Sequence, residues 1–324
     1  MISVEEYHNQ FLDYLQKYTP PNSPSNLYEP VSYILSLKGK RIRPILTLLT
    51  CDLFNNNFKD AFDAALAVEV FHNFSLVHDD IMDEAPLRRG NETVHKKWDL
   101  STAILSGDVM LILAYQLFEN YSGDTFVSLA KLFSKTAIEV CEGQQMDIDF
   151  SNTSDVSPKK YLKMIEFKTA VLLGASMKMG AIVSNASINE QNSIYEFGRN
   201  LGMAFQIQDD FLDTFGDEEK FGKMIGGDII ENKKTLLFIR ATQLLDKEDR
   251  LKLLKLYSTK SLDNHMKIKE VKDLYEKCGI PIIMRKEIEQ FTHTAFQMLE
   301  NINFSNEKKQ FLIDFGNSLM KRNI

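Results

Sequence analysis

From residue 159 to residue 280 the chain contains no proline; its eight prolines stand at positions 20, 21, 24, 30, 44, 86, 158 and 281. Proline stops helices and marks turns, so this spacing leaves room for long uninterrupted helices. The 15 glycines are also few for a β-sandwich or barrel, which needs a turn about every ten residues. Apolar residues recur at helical intervals instead: Phe62, Leu66, Val70, Phe74, Val77 and Ile81, then Tyr161, Ile165, Lys168, Leu172, Ala175 and Met179. Segments 102–120, 125–143, 190–215, 234–257 and 281–303 repeat the pattern. Loops are expected at Asn55–Asn57, Ala85–Glu92, Ser151–Pro158, Gly216–Asn232 and Leu262–His265, and at the Pro/Asn/Ser cluster that begins at Pro20. No internal repeat or long linker divides the sequence. The expectation is an all-α, single-domain bundle of ten or more helices over residues 1–324.

A net charge of −7 argues against a nucleic-acid binder held by a basic face. Anionic substrates stay open, because a bound divalent cation reverses the local field. Cys51, Cys141 and Cys278 show no zinc-site spacing, which suits a reducing cytoplasm. The acidic start MISVEEYHNQF lacks the regions of a signal peptide. The longest apolar stretch, around Val109–Phe118, is about half the ~20 residues that span a bilayer, so no transmembrane segment is expected.

Two segments share the pattern DDxxD: Asp79-Asp80-Ile81-Met82-Asp83 and Asp209-Asp210-Phe211-Leu212-Asp213. Each follows an apolar helical run. On a helix the first and last aspartates share one face a turn apart, an unfavourable placement for like charges unless a cation sits between them. Sparse carboxylates that leave room for waters and substrate phosphates are typical of Mg²⁺. One such motif reads as a solvated helix end; two in an all-α chain point to metal binding.

Basic residues cluster in ways that suit phosphate. Lys40 and Arg43 lie in GKRIRP, Arg88 and Arg89 follow the first motif, and Lys223 and Lys233 follow the second. Guanidinium groups bind phosphate as a fork and ammonium groups as movable point charges. No GxxxxGK[ST] loop occurs. Lys168 interrupts an apolar stripe beside Thr169, either snorkelling to water or facing a pocket. Gln206 shares a face with Asp209. Glu69/His72 and Glu92/His95 have the ExxH spacing of di-iron bundles, but only 23 residues separate them and Pro86 leaves no room for a full return helix.

Taken together, GKRIRP at 39–44, LVHDDIMDEAPLRRG at 76–90, FKTA at 167–170, FQIQDDFLD at 205–213, GKMIGGD at 222–228 and ENKKT at 231–235 resemble the trans-isoprenyl diphosphate synthases, or polyprenyl synthetases. The resemblance implies an all-α bundle around a deep central cavity, a homodimer, and a prenyltransferase that condenses isopentenyl diphosphate with an allylic diphosphate. It implies three Mg²⁺ held by Asp79 and Asp83 with Asp80, and by Asp209 with Asp210 and Asp213. Arg88, Lys168, Lys223 and Lys233 match contacts to the allylic diphosphate, and Lys40, Arg43, His72 and Arg89 match the isopentenyl site. Thr169 and Gln206 match polar groups near the developing carbocation. Lys321-Arg322 looks like the family's basic tail. The same fold serves class I terpene cyclases, and some synthases carry non-catalytic partner subunits; both would depart from the two intact aspartate motifs found here.

Product length is expected to depend on the helix before Asp79. On a helical wheel Ser75 lies about 40° from Asp79, Phe71 about 80° and Phe74 about 140°, and Phe71 stands roughly 12 Å down the axis. The wheel favours Phe71 as the stop and the family pattern favours Phe74. A C20 product is expected first and C15 second.

Overall fold

Every residue from Pro44 to Leu53 is buried, so the helix that contains them has no solvent face and must be wrapped on all sides. The structure is a computed structural model; it describes residues 2–153, 156–217, 225–258 and 263–320, without the side chains of residues 151 and 152. Two compact units emerge, Met1–Lys135 with Ala175–Tyr195, and Thr136–Gly174 with Glu196–Ile324. The divisions fall inside α7, Gly123–Asn152, α9, Val171–Val183, and α10, Ile188–Phe215.

The first unit contains α1 (Val4–Lys17), α2 (Ser25–Ser36), α3 (Ile42–Asn55), α4 (Phe62–Met82), α5 (Val94–Lys97) and α6 (Leu100–Gln116). Here α3 packs on α1 and α4, and α9 closes in so tightly that a Cβ on Gly180 would lie 2.3 Å from the Thr47 carbonyl oxygen. The sheet-free expectation gives way at one place. Between α4 and α5 the strands β1 (Leu87–Arg88) and β2 (Asn91–Glu92) form an antiparallel hairpin, with Arg89 and Gly90 at its tip at φ +54° and +78°. Two successive positive φ values match the right-handed twist of a two-residue hairpin.

With its 3₁₀ extension to Asn120, α6 is the one helix among the described residues long and apolar enough to cross a membrane. That continuous stretch is twice the Val109–Phe118 run read from sequence, because Leu100–Leu105 joins it. Ala103, Ser106, Gly107, Met110, Leu113 and Ala114 form its buried stripe, and the helix packs on α4 and α2.

The second unit adds α8 (Pro158–Ile165), α11 (Gly227–Ile230), α12 (Leu236–Leu244), α13 (Lys247–Ser258), α14 (Asn264–Lys277), α15 (Ile280–Met298) and α16 (Asn306–Met320). Its core runs through Met164, Ile207, Phe211, Leu237, Val271 and Met284. Long α10 starts on a capping box: Ser187 Oγ accepts from the Glu190 N–H and the Glu190 carboxylate accepts from the Ser187 N–H. The expected 234–257 helix breaks at Leu245–Asp246 into α12 and α13, and α11 and α14 occupy regions read as loop or left without a reading.

Candidate active site

In the second unit, α8 runs into α9 through a π turn at Glu166–Ala170, and this turn carries Lys168 and Thr169. Such single turns are frequent at functional sites, since the wider spiral turns side chains that a regular helix would bury. Gly143 of α7 makes it possible: a Cβ there would lie 2.3 Å from the Lys168 backbone nitrogen.

The turn opens onto a cleft of about 380 Å³, whose lining includes Asp209, Asp213 and Asp228 together with Lys168 and Lys233. Lys168 therefore faces a pocket instead of snorkelling, and its ammonium meets Asp147 at 2.6 Å. Thr169 donates to the Gln206 carboxamide oxygen at 3.1 Å, and the Gln206 amide donates to Asp210 at the same distance. Tyr161 donates to the other Asp210 oxygen at 2.6 Å. Both oxygens of Asp210 are thus engaged inside the unit, and the residue is buried.

The electrostatics of the cleft are those of carboxylates crowded together. Burial, and then the Asp228 charge, push the Asp210 carboxyl up to about 8. Burial, and then Asp213, push Asp228 up to about 6. Lys233 lies 3.4 Å from Asp228 and 2.9 Å from Glu231, and these anions outweigh desolvation to hold its ammonium above the usual lysine range. Asp213 also accepts from the Asp228 N–H at 2.9 Å, which ties α11 to the aspartate motif.

In the first unit the first motif closes α4. Asp79 is half-buried, Asp83 is exposed at the C-cap, and Asp80 turns inward. Arg88, on β1, grips Asp80 through Nε at 3.0 and 3.3 Å and through Nη2. Burial raises the Asp80 carboxyl and Arg88 opposes that shift. Arg43 donates to His72 Nε2 at 3.3 Å, so the His72 proton belongs on Nδ1; burial, then Arg43 and Arg89, keep this ring neutral. Arg89 reaches the Leu37 carbonyl at 3.4 Å over Gly39, where a Cβ would lie 2.7 Å from its guanidinium. Lys40 is exposed on the same loop.

Five residues unassigned in the sequence complete the picture. Asp147, Tyr161 and Asp228 join the second-unit cleft; the acid-bearing α7, the apolar series that starts at Tyr161 and GGD were their signals in the sequence. Arg41 and Glu69 form a buried ion pair, with Arg41 also donating to the Leu35 and Leu37 carbonyls at 2.7 and 2.6 Å. Glu69 and its hydrogen bond from Asn73 thereby take up the carboxylate of the first ExxH motif. Lys223, Lys321 and Arg322 lie outside the described residues.

Behind Asp79 on α4, Phe71 is fully buried in a ring cluster with Phe133 at 5.0 Å and Phe74 at 5.5 Å. Phe74 sits at the edge of that cluster, against His78 at 4.9 Å.

Oxygen-only donors with raised carboxyl groups beside them fit a hard divalent cation such as Mg²⁺. Among the described residues no three acidic, histidine or cysteine side chains converge closely enough to complete a metal site alone. Water and substrate oxygens would have to supply the remaining ligands.

The polyprenyl synthetase family profile matches residues 24–277. A short chain isoprenyl diphosphate synthase of Methanocaldococcus jannaschii is 37% identical over 297 residues, 91% of this chain and 89% of its own. A geranylfarnesyl diphosphate synthase of Natronomonas pharaonis is 38% identical over 240 residues, 68% of this chain and 70% of its own. The crystal structure of a geranylgeranyl pyrophosphate synthase is similar with a TM-score of 0.95 and 46% identity, covering 100% of both chains.

Proposed function

Because the chain belongs to the polyprenyl synthetase family and is a trans-prenyltransferase, we propose that it condenses isopentenyl diphosphate with an allylic diphosphate to a C20 all-trans product. The observation that carries this reading is the second-unit cleft, where Lys168 and Lys233 line the same space as Asp209, Asp213 and Asp228. Cations for a diphosphate and carboxylates for its counter-ions share one space there.

The family is Mg²⁺-dependent, and we assign three ions to the carboxylates of the two aspartate motifs. Asp79, Asp83, Asp209 and Asp213 would hold them, with Asp80 and Asp210 behind as buried supports. Bound Mg²⁺ supplies charge neutralisation on the departing diphosphate. Lys168 and Lys233, with Arg88 and Lys223, bind the allylic diphosphate and stabilise the negative charge that appears as its C–O bond breaks. The Thr169 hydroxyl and the Gln206 carboxamide, fixed to one another, offer oxygen dipoles to the allylic cation. Lys40, Arg43, Arg89 and neutral His72 take the diphosphate of the second substrate and orient it. Its double bond attacks the cation, the new C–C bond forms, and the proton lost goes to released diphosphate. No carboxylate is needed as a dedicated base.

For product length, the aromatic cluster of Phe71 and Phe74 favours a short chain, and the three similar proteins named above are a short chain, a geranylfarnesyl and a geranylgeranyl synthase. Leu100, Ile104, Leu105 and Ile112 turn outward from α6, an apolar face that supports a homodimer. The three free thiols suit a reducing cytoplasm.

Product analysis tests the reading. Purified protein is incubated with Mg²⁺, isopentenyl diphosphate and dimethylallyl, geranyl or farnesyl diphosphate in turn, and its mass is measured by light scattering. We expect C20 diphosphate from a dimer. No extension from any primer would overturn the synthase reading, and a dominant product of C30 or longer would overturn the chain-length assignment.

A further inference from the structure

Lys267 on α14 is 3% exposed. Its ammonium donates to the Asn232 side-chain oxygen at 2.6 Å and lies 5.6 Å from the Tyr257 ring centroid. Among the described residues no carboxylate stands within ion-pair distance of it. A buried ammonium without a counter-charge is costly, and a hydrophobic side chain of similar volume would fill the space at lower cost. The placement is adverse in a second way, since Lys267 sits near the N-terminal, positive end of its helix. Burial pulls the ammonium down from the usual lysine range. So unfavourable a group calls for a compensating role, and its one polar partner indicates which.

Asn232 lies in the turn that follows α11, at φ +60°. Asparagine tolerates this left-handed conformation better than most residues, but nothing in the backbone there fixes its side chain. Its N–H donates to the Ile229 carbonyl at 3.2 Å, and the next N–H, of Lys233, donates to the Asp228 carbonyl at 2.9 Å. Asn232 and Lys233 both line the cleft. On the other side, α11 rests on α14: a Cβ on Gly226 would lie 2.6 Å from Ile268, the neighbour of Lys267. The α14 helix is therefore the platform for the turn, with Ile268 in van der Waals contact and Lys267 as its hydrogen-bonding post.

We propose that Lys267 is a positioning residue for allylic diphosphate binding, acting through Asn232 to hold the Glu231–Lys233 turn so that the Lys233 ammonium faces the cleft. The proposal rests on the reading of Lys233 as a diphosphate contact. Without the Lys267 bond, the Asn232 amide loses its anchor and the turn samples other conformations. Lys233 is then left to its two carboxylate neighbours, Asp228 and Glu231.

The test compares Lys267→Met, Asn232→Gly, the double variant and Lys233→Ala, each assayed well below its melting temperature with geranyl and isopentenyl diphosphates. Glycine at 232 keeps the positive φ and removes only the amide, so this variant informs even if Lys267→Met does not fold. We expect each single variant of the pair to raise KM for geranyl diphosphate about tenfold, the loss of one charge-assisted hydrogen bond. The change in kcat should stay within about threefold, KM for isopentenyl diphosphate should not move, and the double variant should be no worse than the poorer single. A merely structural lysine would lower the melting temperature and the active fraction and leave KM alone. KM within about twofold of the parent for Asn232→Gly, or multiplying effects in the double, would overturn the proposal while Lys233→Ala still raises KM. An unchanged KM in Lys233→Ala would instead overturn the reading of Lys233 and remove the basis of the proposal.

Discussion

The two aspartate motifs treat their second residue alike. Asp80 and Asp210 are both buried, and each is bound within its own unit, by Arg88 in one case and by Tyr161 and Gln206 in the other. A residue one step along a helix is rotated about 100° from its predecessor, so in DDxxD the middle carboxylate leaves the face shared by the outer pair. That much is legible in the sequence. The partners are not, because Arg88 is placed by the first strand of a hairpin beyond the end of α4 and Tyr161 is 49 positions upstream of Asp210. The outer residues carry the metal assignment, so Asp79→Ala is expected to lower turnover by at least ~10²–10³ at saturating Mg²⁺. Turnover within about threefold of the parent in steady-state assays would remove Asp79 from the machinery. The pairing of Thr169 with Gln206 shows the same division. Each residue was legible from its motif, but their mutual hydrogen bond was not, because it joins helices far apart in sequence.

At the scale of elements, the apolar repeat located α4, α6 and α10 to within a few residues, since each buries a stripe over many turns, but it ended α7 at residue 143 where the helix continues to Asn152. It passed over α14, whose sequence NHMKIKEVKDLYEK is mostly polar and buries few side chains, Lys267 among them. It also read 161–179 as one regular helix, because a π turn adds a single residue and barely disturbs the apolar spacing. The turn depends on what packs against it, and Gly143 is that neighbour. Overpacking of this kind costs about 1–3 kcal/mol and moves backbone. Gly143→Ala is therefore expected to lower the melting temperature and to reduce kcat/KM for the allylic substrate by at least about fivefold, the lower end of that cost. Thermal melts and kinetics on one preparation check both. A variant unchanged in each would show that the Lys168 backbone does not need the close approach.

For the molecule as a whole, the crowded carboxylates make stability depend on pH and on metal together. Asp210 near 8 and Asp228 near 6 hold protons in the folded metal-free protein that they would release when unfolded. Their contribution is fully present below the ordinary carboxylate range and is lost as pH rises through about 6 and then about 8. The melting temperature of chelator-treated protein should therefore fall between pH 5.5 and 8.5, and Mg²⁺ should restore more of it at the higher pH. Calorimetry at both pH values decides this, and an equal Mg²⁺ effect at each would contradict it. The two-unit organisation was not legible, because the helical repeat runs unbroken through α7, α9 and α10, where the units divide. That division also governs how the chain leaves the ribosome. The first unit lacks its last piece until Tyr195 has been made, roughly 60 residues after Lys135. At about 5–20 residues per second the wait is roughly 3–12 s. During that interval the flank of α3 at Thr47–Cys51 that Gly180 will cover lies open, part of a helix stretch buried in the finished unit, with its backbone presented to whatever chaperone waits at the tunnel exit.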